Sequence, residues 1–285
     1  MPSYKEYDQE TLDKLHKTEL EILDDFVKVC EKYNLTYFFT GGTMLGAIRH
    51  AGFIPWDDDI DIGMPRRDYD EFIKIGQKAL GDKYYLDSFE TNKDFYLPFA
   101  KIKMNGTVFD ESAAVDVEHN KGIFIDVFAF DNVKDLKKIR LVKVLIIKTI
   151  GDSIFYRLGI YSLKKIRHKF LMLCCCLIPR RLAMKWQRHL MRLNKNDNSD
   201  YICPLAGCQP YLKEVQPRGV ILPVKKVMFE GKKYNGMNDP DTYLKKSYGD
   251  YMKLPPVEKR VNHMPERIEF RKDETINEKN KKRRK

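Results

Sequence analysis

No stretch of this 285-residue chain is apolar for long enough to span a membrane. The longest such run, FLMLCCCLI from Phe170 to Ile178, has nine residues, whereas a spanning helix needs about 20. A transmembrane helix is therefore not expected. Cysteine is sparse: Cys30, Cys174, Cys175, Cys176, Cys203 and Cys208, three of them adjacent. Adjacent cysteines suit no disulfide framework, and Cys203-x4-Cys208 has no second Cys or His pair to complete a zinc site. The opening MPSYKEYDQE is polar and acidic, so no secretory signal is expected and a reducing, cytoplasmic compartment is. Internal repeats are absent.

Acids are nearly missing from one segment. Residues 134–195 hold 17 Lys or Arg but only Asp135 and Asp152, a net +15 in a chain of net +11, which leaves −4 for the rest. The basic character thus belongs to one segment and not to the fold. Such a segment seeks phosphate, on an anionic membrane surface or on nucleic acid.

Leu12, Leu15, Ile22, Leu23, Phe26, Cys30 and Tyr33 follow a helical stripe and predict a helix over 9–33, with Asn34 as a left-handed stop. LTYFFT (35–40) reads as a buried strand, Gly41-Gly42 as a sharp turn, 43–50 as a short helix and 59–64 as a strand. Pro65 suits the first turn of a helix reaching about Leu80. Strands are expected at 84–89, 96–104 and 122–130, the last apolar on both faces except for Asp126. Strand character returns at 218–230, and 241–252 reads as a closing helix. The tail from about Lys272, ending KNKKRRK, is expected to be disordered. The expected class is α/β (α+β), interrupted by a basic helical insertion.

The run GFIPWDDDIDIGMP (52–65) sets Asp57, Asp58, Asp59 and Asp61 within five positions. Carboxylates this close repel one another, and desolvating them is costly. On a strand, residues i and i+2 share a face. Asp59 and Asp61 are therefore expected side by side, with Ile60 and Ile62 in the core. Paired carboxylates suit a hard divalent cation, which turns their repulsion into attraction. Asp126, a lone acid in IFIDVF, is the third candidate ligand if its strand lies beside 59–64. Upstream, Thr40-Gly41-Gly42-Thr43 ends a strand and opens a helix, where backbone N–H groups can meet phosphate. Arg49 follows with a guanidinium fork. A lone glycine turn or acidic run is commonly a plain turn or a solvated loop. Strand, glycine turn, helix and acidic strand in succession predict a metal-assisted phosphate site. Asp57 and Asp58 are expected to be loop-exposed or supporting. Lys101 and Lys103 share a strand face, which is turned either to phosphate or to solvent.

FFTGGTMLGAIRHAGFIPWDDDIDIGMPRRDYDEF (38–72) closely resembles the signature of the LicD family, which belongs to the nucleotidyltransferase-fold superfamily and includes fukutin-related enzymes. LPFAKIKMNGT (97–107), GIFIDVFAFD (122–131) and YLKKSYGDYMKLPP (243–256) are also similar to the family. The resemblance covers about 35–131 and 218–256. It implies a nucleotidyltransferase-like mixed sheet flanked by helices. It also implies a transferase that moves a phospho-alcohol from a CDP donor to a sugar hydroxyl and releases CMP. Phosphocholine from CDP-choline is the first expectation and phosphoribitol the alternative. The acceptor would be a cell-surface polysaccharide such as teichoic acid or lipopolysaccharide, or its lipid-linked precursor.

By the same resemblance Asp59, Asp61 and Asp126 hold Mg²⁺, or alternatively Mn²⁺, and Gly41, Gly42, Thr43 and Arg49 form the substrate-binding turn. Asp126 could instead be a general base. A quaternary ammonium favours aromatic company, for which Trp56, beside the acids, is preferred over Phe95, Tyr96, Tyr211, Tyr243 and Tyr248. His263 is an outside candidate. An enzyme transferring a nucleotide from an NTP, to RNA for example, would use the same metal site, whereas a non-catalytic scaffold has no need of buried acids.

The expected division is an N-terminal helix at 1–34, the catalytic core at 35–131, the insertion at 132–200, a part completing the core at 201–271 and a basic tail at 272–285. In the insertion, LVKVLIIK and YSLKKIRHKFLMLCCCLIPRRL interleave cations with apolar residues. That pattern fits helices lying in a membrane interface as well as helices packing on the core. Nucleic acid is not an expected partner, because the segment is too apolar and carries no recognisable module.

Overall fold

The apolar stripe of residues 9–33 forms helix α1 (Gln9–Tyr33) in the computed structural model. Asp8 caps its first turn by accepting the Thr11 N–H, and Asn34 ends it at φ 52°, as the sequence predicts. The structure describes residues 6–110, 120–134, 138–161, 169–205, 207, 209–263 and 265–271. Cys208 and the tail from Lys272 lie outside them, as does the part of the basic insertion at 162–168.

After α1 come β1 (Phe38–Phe39), α2 (Gly41–His50), β2 (Asp61–Pro65), α3 (Arg66–Leu80), β3 (Tyr84–Asp87), β4 (Ala100–Met104), β5 (Val108–Asp110) and β6 (Phe124–Val133). The insertion supplies α4 (Lys138–Arg157), α5 (Lys169–Cys176) and α6 (Arg180–Met191). The chain then returns through β7 (Tyr201–Cys203), α7 (Tyr211–Glu214), β8 (Gln216–Pro217), α8 (Arg218–Ile221), the hairpin β9 (Lys225–Phe229) and β10 (Lys232–Gly236), α9 (Pro240–Tyr248) and β11 (Arg267–Glu269).

The central sheet runs β1-β2-β6-β4-β3, with β2 parallel to β6 and the other neighbours antiparallel. This is the expected mixed sheet flanked by helices. Strand β6 is central and buried on both faces, which explains its nearly unbroken apolar run. Its far end pairs with β7, so the strand continues to Val133, past the expected boundary at 131. Leu15, Ile22 and Phe26 of α1 and Phe72 of α3 are wholly buried in the same core as Ile62 and Val127.

Three local expectations change. Only Phe38–Phe39 of the run 35–40 pairs as strand. Pro65 caps α3 from the end of β2 and does not enter its first turn. Residues 218–221 form a helical turn after Pro217, not strand, because their apolar side chains Val220 and Ile221 reach the core that way.

The insertion packs on the core through part of its surface. Val144 and Ile147 of α4 and Met191 of α6 are buried with Val133 and Tyr211. Ile150, Ile154 and Met184 close a second cluster against Phe89 and Tyr96. Among the described residues no helix is long and apolar enough to cross a membrane.

Candidate functional site

The register of two parallel strands sets the centre of the site. Asp61, the first residue of β2, stands directly opposite Asp126 on β6, and Lys101 on β4 stands opposite Asp126 from the other side. Adjacent strands lie about 4.8 Å apart, so these three side chains form one row across the sheet. Lys101 Nζ is 3.1 Å from Asp126 Oδ1. Asp59 precedes β2 and lies in the loop leading into it, not in the strand as expected, while Ile60 and Ile62 enter the core as the alternation predicts.

The loop and turn are held by backbone bonds. The Asp61 N–H donates to Thr43 Oγ1 at 2.7 Å, the Thr40 N–H to the Asp61 carbonyl at 3.1 Å, and the Asp126 N–H to the Ile60 carbonyl at 2.9 Å. Gly41 and Gly42 open α2 against the acids. A Cβ on Gly41, at φ +54°, would lie 2.3 Å from Asp61 Oδ2, and one on Gly42 would lie 2.7 Å from Asp57 Oδ2. Glycine is required here because carboxylates fill the space a side chain would take. The Gly41 N–H donates to the Tyr243 hydroxyl at 3.1 Å, so α9 caps the start of α2.

Burial pushes the carboxyls of Asp57 and Asp61 well above the usual range, and repulsion from Asp59 adds to it. Asp58 differs. Burial pushes it up, but hydrogen bonds from His263 and Tyr7 outweigh that and hold it below the ordinary value. Tyr7 donates to Asp58 Oδ2 at 2.5 Å, the His263 backbone N–H donates to the same carboxylate at 3.0 Å, and His263 Nδ1 lies 3.0 Å from Oδ1. Asp58, Asp59 and His263 bring one candidate metal-ligating atom each within 4.8 Å of one another. Asp58 is thus a clamp on the segment after α9 rather than a loop-exposed acid.

A cavity of about 340 Å³ unites Gly41, Gly42, Asp59, Asp61 and Asp126 with Tyr243, Tyr248 and His263. Phe99, Phe128, Phe130 and Glu214 line the same cavity. Several expected contacts are not on its wall. Trp56 is buried in the core with the Arg260 guanidinium 4.1 Å over its ring. Arg49 turns to the chain after α9, donating to the Tyr251 carbonyl at 2.8 Å and to His50 at 2.9 Å. Lys101 is an internal counter-charge to Asp126, and Lys103 faces neither solvent nor the cavity but bonds Asp87 at 2.7 Å. Thr43 acts through the Asp61 backbone. Phe95, Tyr96 and Tyr211 pack elsewhere.

Two acids went unnoticed in the sequence. Glu19 of α1 is buried beneath the aspartates, and burial and their charges raise its carboxyl well above the usual range. The signal was its place on the apolar stripe, between Leu15 and Ile22. Glu214 has no comparable signal, since its burial arises only when the chain after the insertion closes the cavity.

A model of the LicD/FKTN/FKRP nucleotidyltransferase domain matches residues 34–173. The lipopolysaccharide cholinephosphotransferase LicD of Haemophilus influenzae is 32% identical over 255 residues, which is 86% of this chain and 92% of that protein. The ribitol 5-phosphate transferase FKRP of human and mouse is 47% identical over 38 residues, 13% of this chain and 8% of FKRP.

Proposed function

The chain belongs to the LicD family, and on that premise we propose that it transfers phosphocholine from CDP-choline to a sugar hydroxyl of a cell-surface glycan or its lipid-linked precursor, releasing CMP. The observation that carries the reaction class is the meeting of the Gly41-Gly42 turn with Asp59, Asp61 and Asp126 in one cavity. The choice of choline rests on the 32% identity to a cholinephosphotransferase. The donor set is carboxylate oxygen, in which burial and the neighbouring Asp59 and Asp126 make Asp61 resist ionisation, and it fits a hard cation such as Mg²⁺ or Mn²⁺.

Asp59, Asp61 and Asp126 would hold that cation, which supplies Lewis-acid stabilisation of the donor phosphates and the leaving CMP. At the start of α2 the Gly41 N–H is taken by Tyr243, so the N–H groups of Gly42 and Thr43 are the ones that would meet the diphosphate. Thr43 fixes the Asp61 backbone and Lys101 offsets the charge of Asp126. In the transfer, the acceptor oxygen bonds to the phosphorus that bears choline and the bond from that phosphorus to CMP breaks. The hydroxyl proton passes to water, or to Asp126 where that carboxylate serves as general base instead of cation ligand.

The test is CMP release by the purified protein with Mg²⁺ and CDP-choline, CDP-ribitol, CDP-glycerol or CDP-ethanolamine, beside CTP, ATP and UTP, for wild type and Asp61→Asn. CMP from CDP-choline that disappears in the variant supports the reading. CMP from a different CDP-alcohol alone replaces the donor and keeps the mechanism. Pyrophosphate from an NTP with every CDP-alcohol untouched refutes it.

We also propose that α4–α6 rest on an anionic membrane surface, on the inner face of the cell membrane. Phe170 and Leu177 are 81% and 86% exposed, and Leu141, Leu145 and Trp186 are exposed with them, next to Lys169 and Lys185. Apolar side chains beside cations suit an interface of acyl chains and lipid phosphate. Sedimentation with phosphatidylglycerol vesicles, reduced by salt and lost in Phe170→Ser/Leu177→Ser, is expected. Equal recovery with and without vesicles would overturn the proposal.

A further inference from the structure

Away from the acids, the lining of the cavity is aromatic. On β6 the residues facing the cavity alternate: Asp126, Phe128, Phe130. Each two-residue step is about 6.6 Å, so Phe128 stands one step from the acids and Phe130 two. Phe99 joins Phe128 with ring centroids 4.4 Å apart and an interplanar angle of 37°, and both rings are half-buried. Glu214 lines the same cavity.

The Glu214 carboxylate is tightly fixed. Its Oε1 accepts the Gln209 N–H at 2.8 Å, and Gly207 packs so closely that a Cβ there would lie 2.2 Å from the same oxygen. Its Oε2 is buried and has no hydrogen-bond partner. The nearby cation Lys148 is engaged with the Gln209 carbonyl. Burial pushes the Glu214 carboxyl up to about 7. A buried carboxylate with no partner is costly, and a cation without N–H groups offsets that cost by charge alone, not by a hydrogen bond. Lys213, on the same wall, is exposed and therefore well solvated.

We propose that Phe99, Phe128 and Phe130 with Glu214 form the subsite for the cationic end of the transferred alcohol, a quaternary ammonium, and make the enzyme prefer choline over uncharged alcohols. A two-carbon arm from a phosphate at Asp59, Asp61 and Asp126 reaches one step along β6, where the ring faces and the carboxylate meet a cation. This inference rests on the donor reading above and names the residues that read its head group. The alternative occupant is the cytosine amino group, which also donates to a carboxylate and stacks on a ring.

The test compares wild type, Glu214→Gln and Phe128→Leu. Glutamine keeps the shape and can still accept the Gln209 N–H. KM is measured for CDP-choline and CDP-glycerol, inhibition is measured for CMP, and phosphocholine and glycerol phosphate binding are measured by calorimetry with Mg²⁺. Both variants are expected to weaken CDP-choline and phosphocholine roughly tenfold, as for a desolvated cation–π or charge-assisted contact, with CDP-glycerol and CMP nearly unchanged. Equal weakening of CDP-choline, CDP-glycerol and CMP would assign the wall to the nucleotide and overturn the proposal. So would wild-type binding of phosphocholine no tighter than glycerol phosphate. Absence of CMP release from every CDP-alcohol would sink the transferase reading instead, while selective loss of phosphocholine binding in Glu214→Gln would still uphold the subsite.

Discussion

The acidic loop before β2 and the basic insertion carry charge in opposite ways. Around Asp57, Asp59, Asp61 and Asp126 charges of one sign are gathered, and Lys101 and His263 offset only part of them. In the insertion the cations that touch the core are paired. Arg180 and Arg181 bond Asp94, and Arg192 bonds Asp70 and Glu90. Arg188 lies over Phe89 and donates to the Leu97 carbonyl. The insertion thus uses part of its basic excess as fasteners to acids of the core. Unbalanced charge marks the place where a ligand is expected, whereas balanced charge marks a joint.

The sharpest way to break that contrast is Asp61→Asn. Loss of one proposed cation ligand is expected to cut transfer on the order of 10⁴-fold, about 5.6 kcal/mol at 1.4 kcal/mol per decade. The metal-free melting temperature should hold or rise, because repulsion has been relieved. CMP release and calorimetry measure the two together, and a drop in both would make Asp61 structural. Lys103→Met is the reverse case. It strands the buried Asp87 carboxylate and should cost about 3–5 kcal/mol in urea unfolding, with any surviving folded enzyme retaining its KM.

Glu214 offers a pH test of intermediate size. Its folded pKa of about 7 lies above the ordinary 4.5, so the folded protein binds the extra proton between those values. Stability from this group is complete below about 4.5 and is lost as pH rises through 7. Glu214→Gln should therefore be more stable than wild type at pH 8, by about 1–3 kcal/mol, and similar at pH 4.5. An equal difference at both pH values would show that Glu214 does not titrate this way. The smallest effect is expected at the joint, where Arg192→Ala should cost under ~1 kcal/mol because its acids are partly solvated.

Helix α1 was legible down to its Asn34 stop because an apolar stripe and a left-handed cap are both local. The pairing of Asp61 with Asp126 was legible as a condition, since a buried lone acid demands a partner strand. Phe128 and Phe130 were not legible as cavity residues, because a strand apolar on both faces does not mark which of its rings lines a cavity. Trp56 misled, because proximity in sequence to the acids does not say which way an indole faces, and here Arg260 covers it. Lys103 and Glu214 were hidden for a common reason. Their environments are made by contacts that no local pattern announces: Asp87 on the neighbouring strand in one case, and Gly207 and Gln209 folding back on the carboxylate in the other.

The hydroxyl that caps Gly41 arrives late. Tyr243 is 202 residues downstream of the turn it closes, and His263 is 205 residues from Asp58. During synthesis the carboxylate loop leaves the ribosome with neither partner. The nascent chain therefore carries the repelling acids before the segments that steady them exist. Such distant closures are slow to form, and the cavity is complete only once both segments have folded back on the loop.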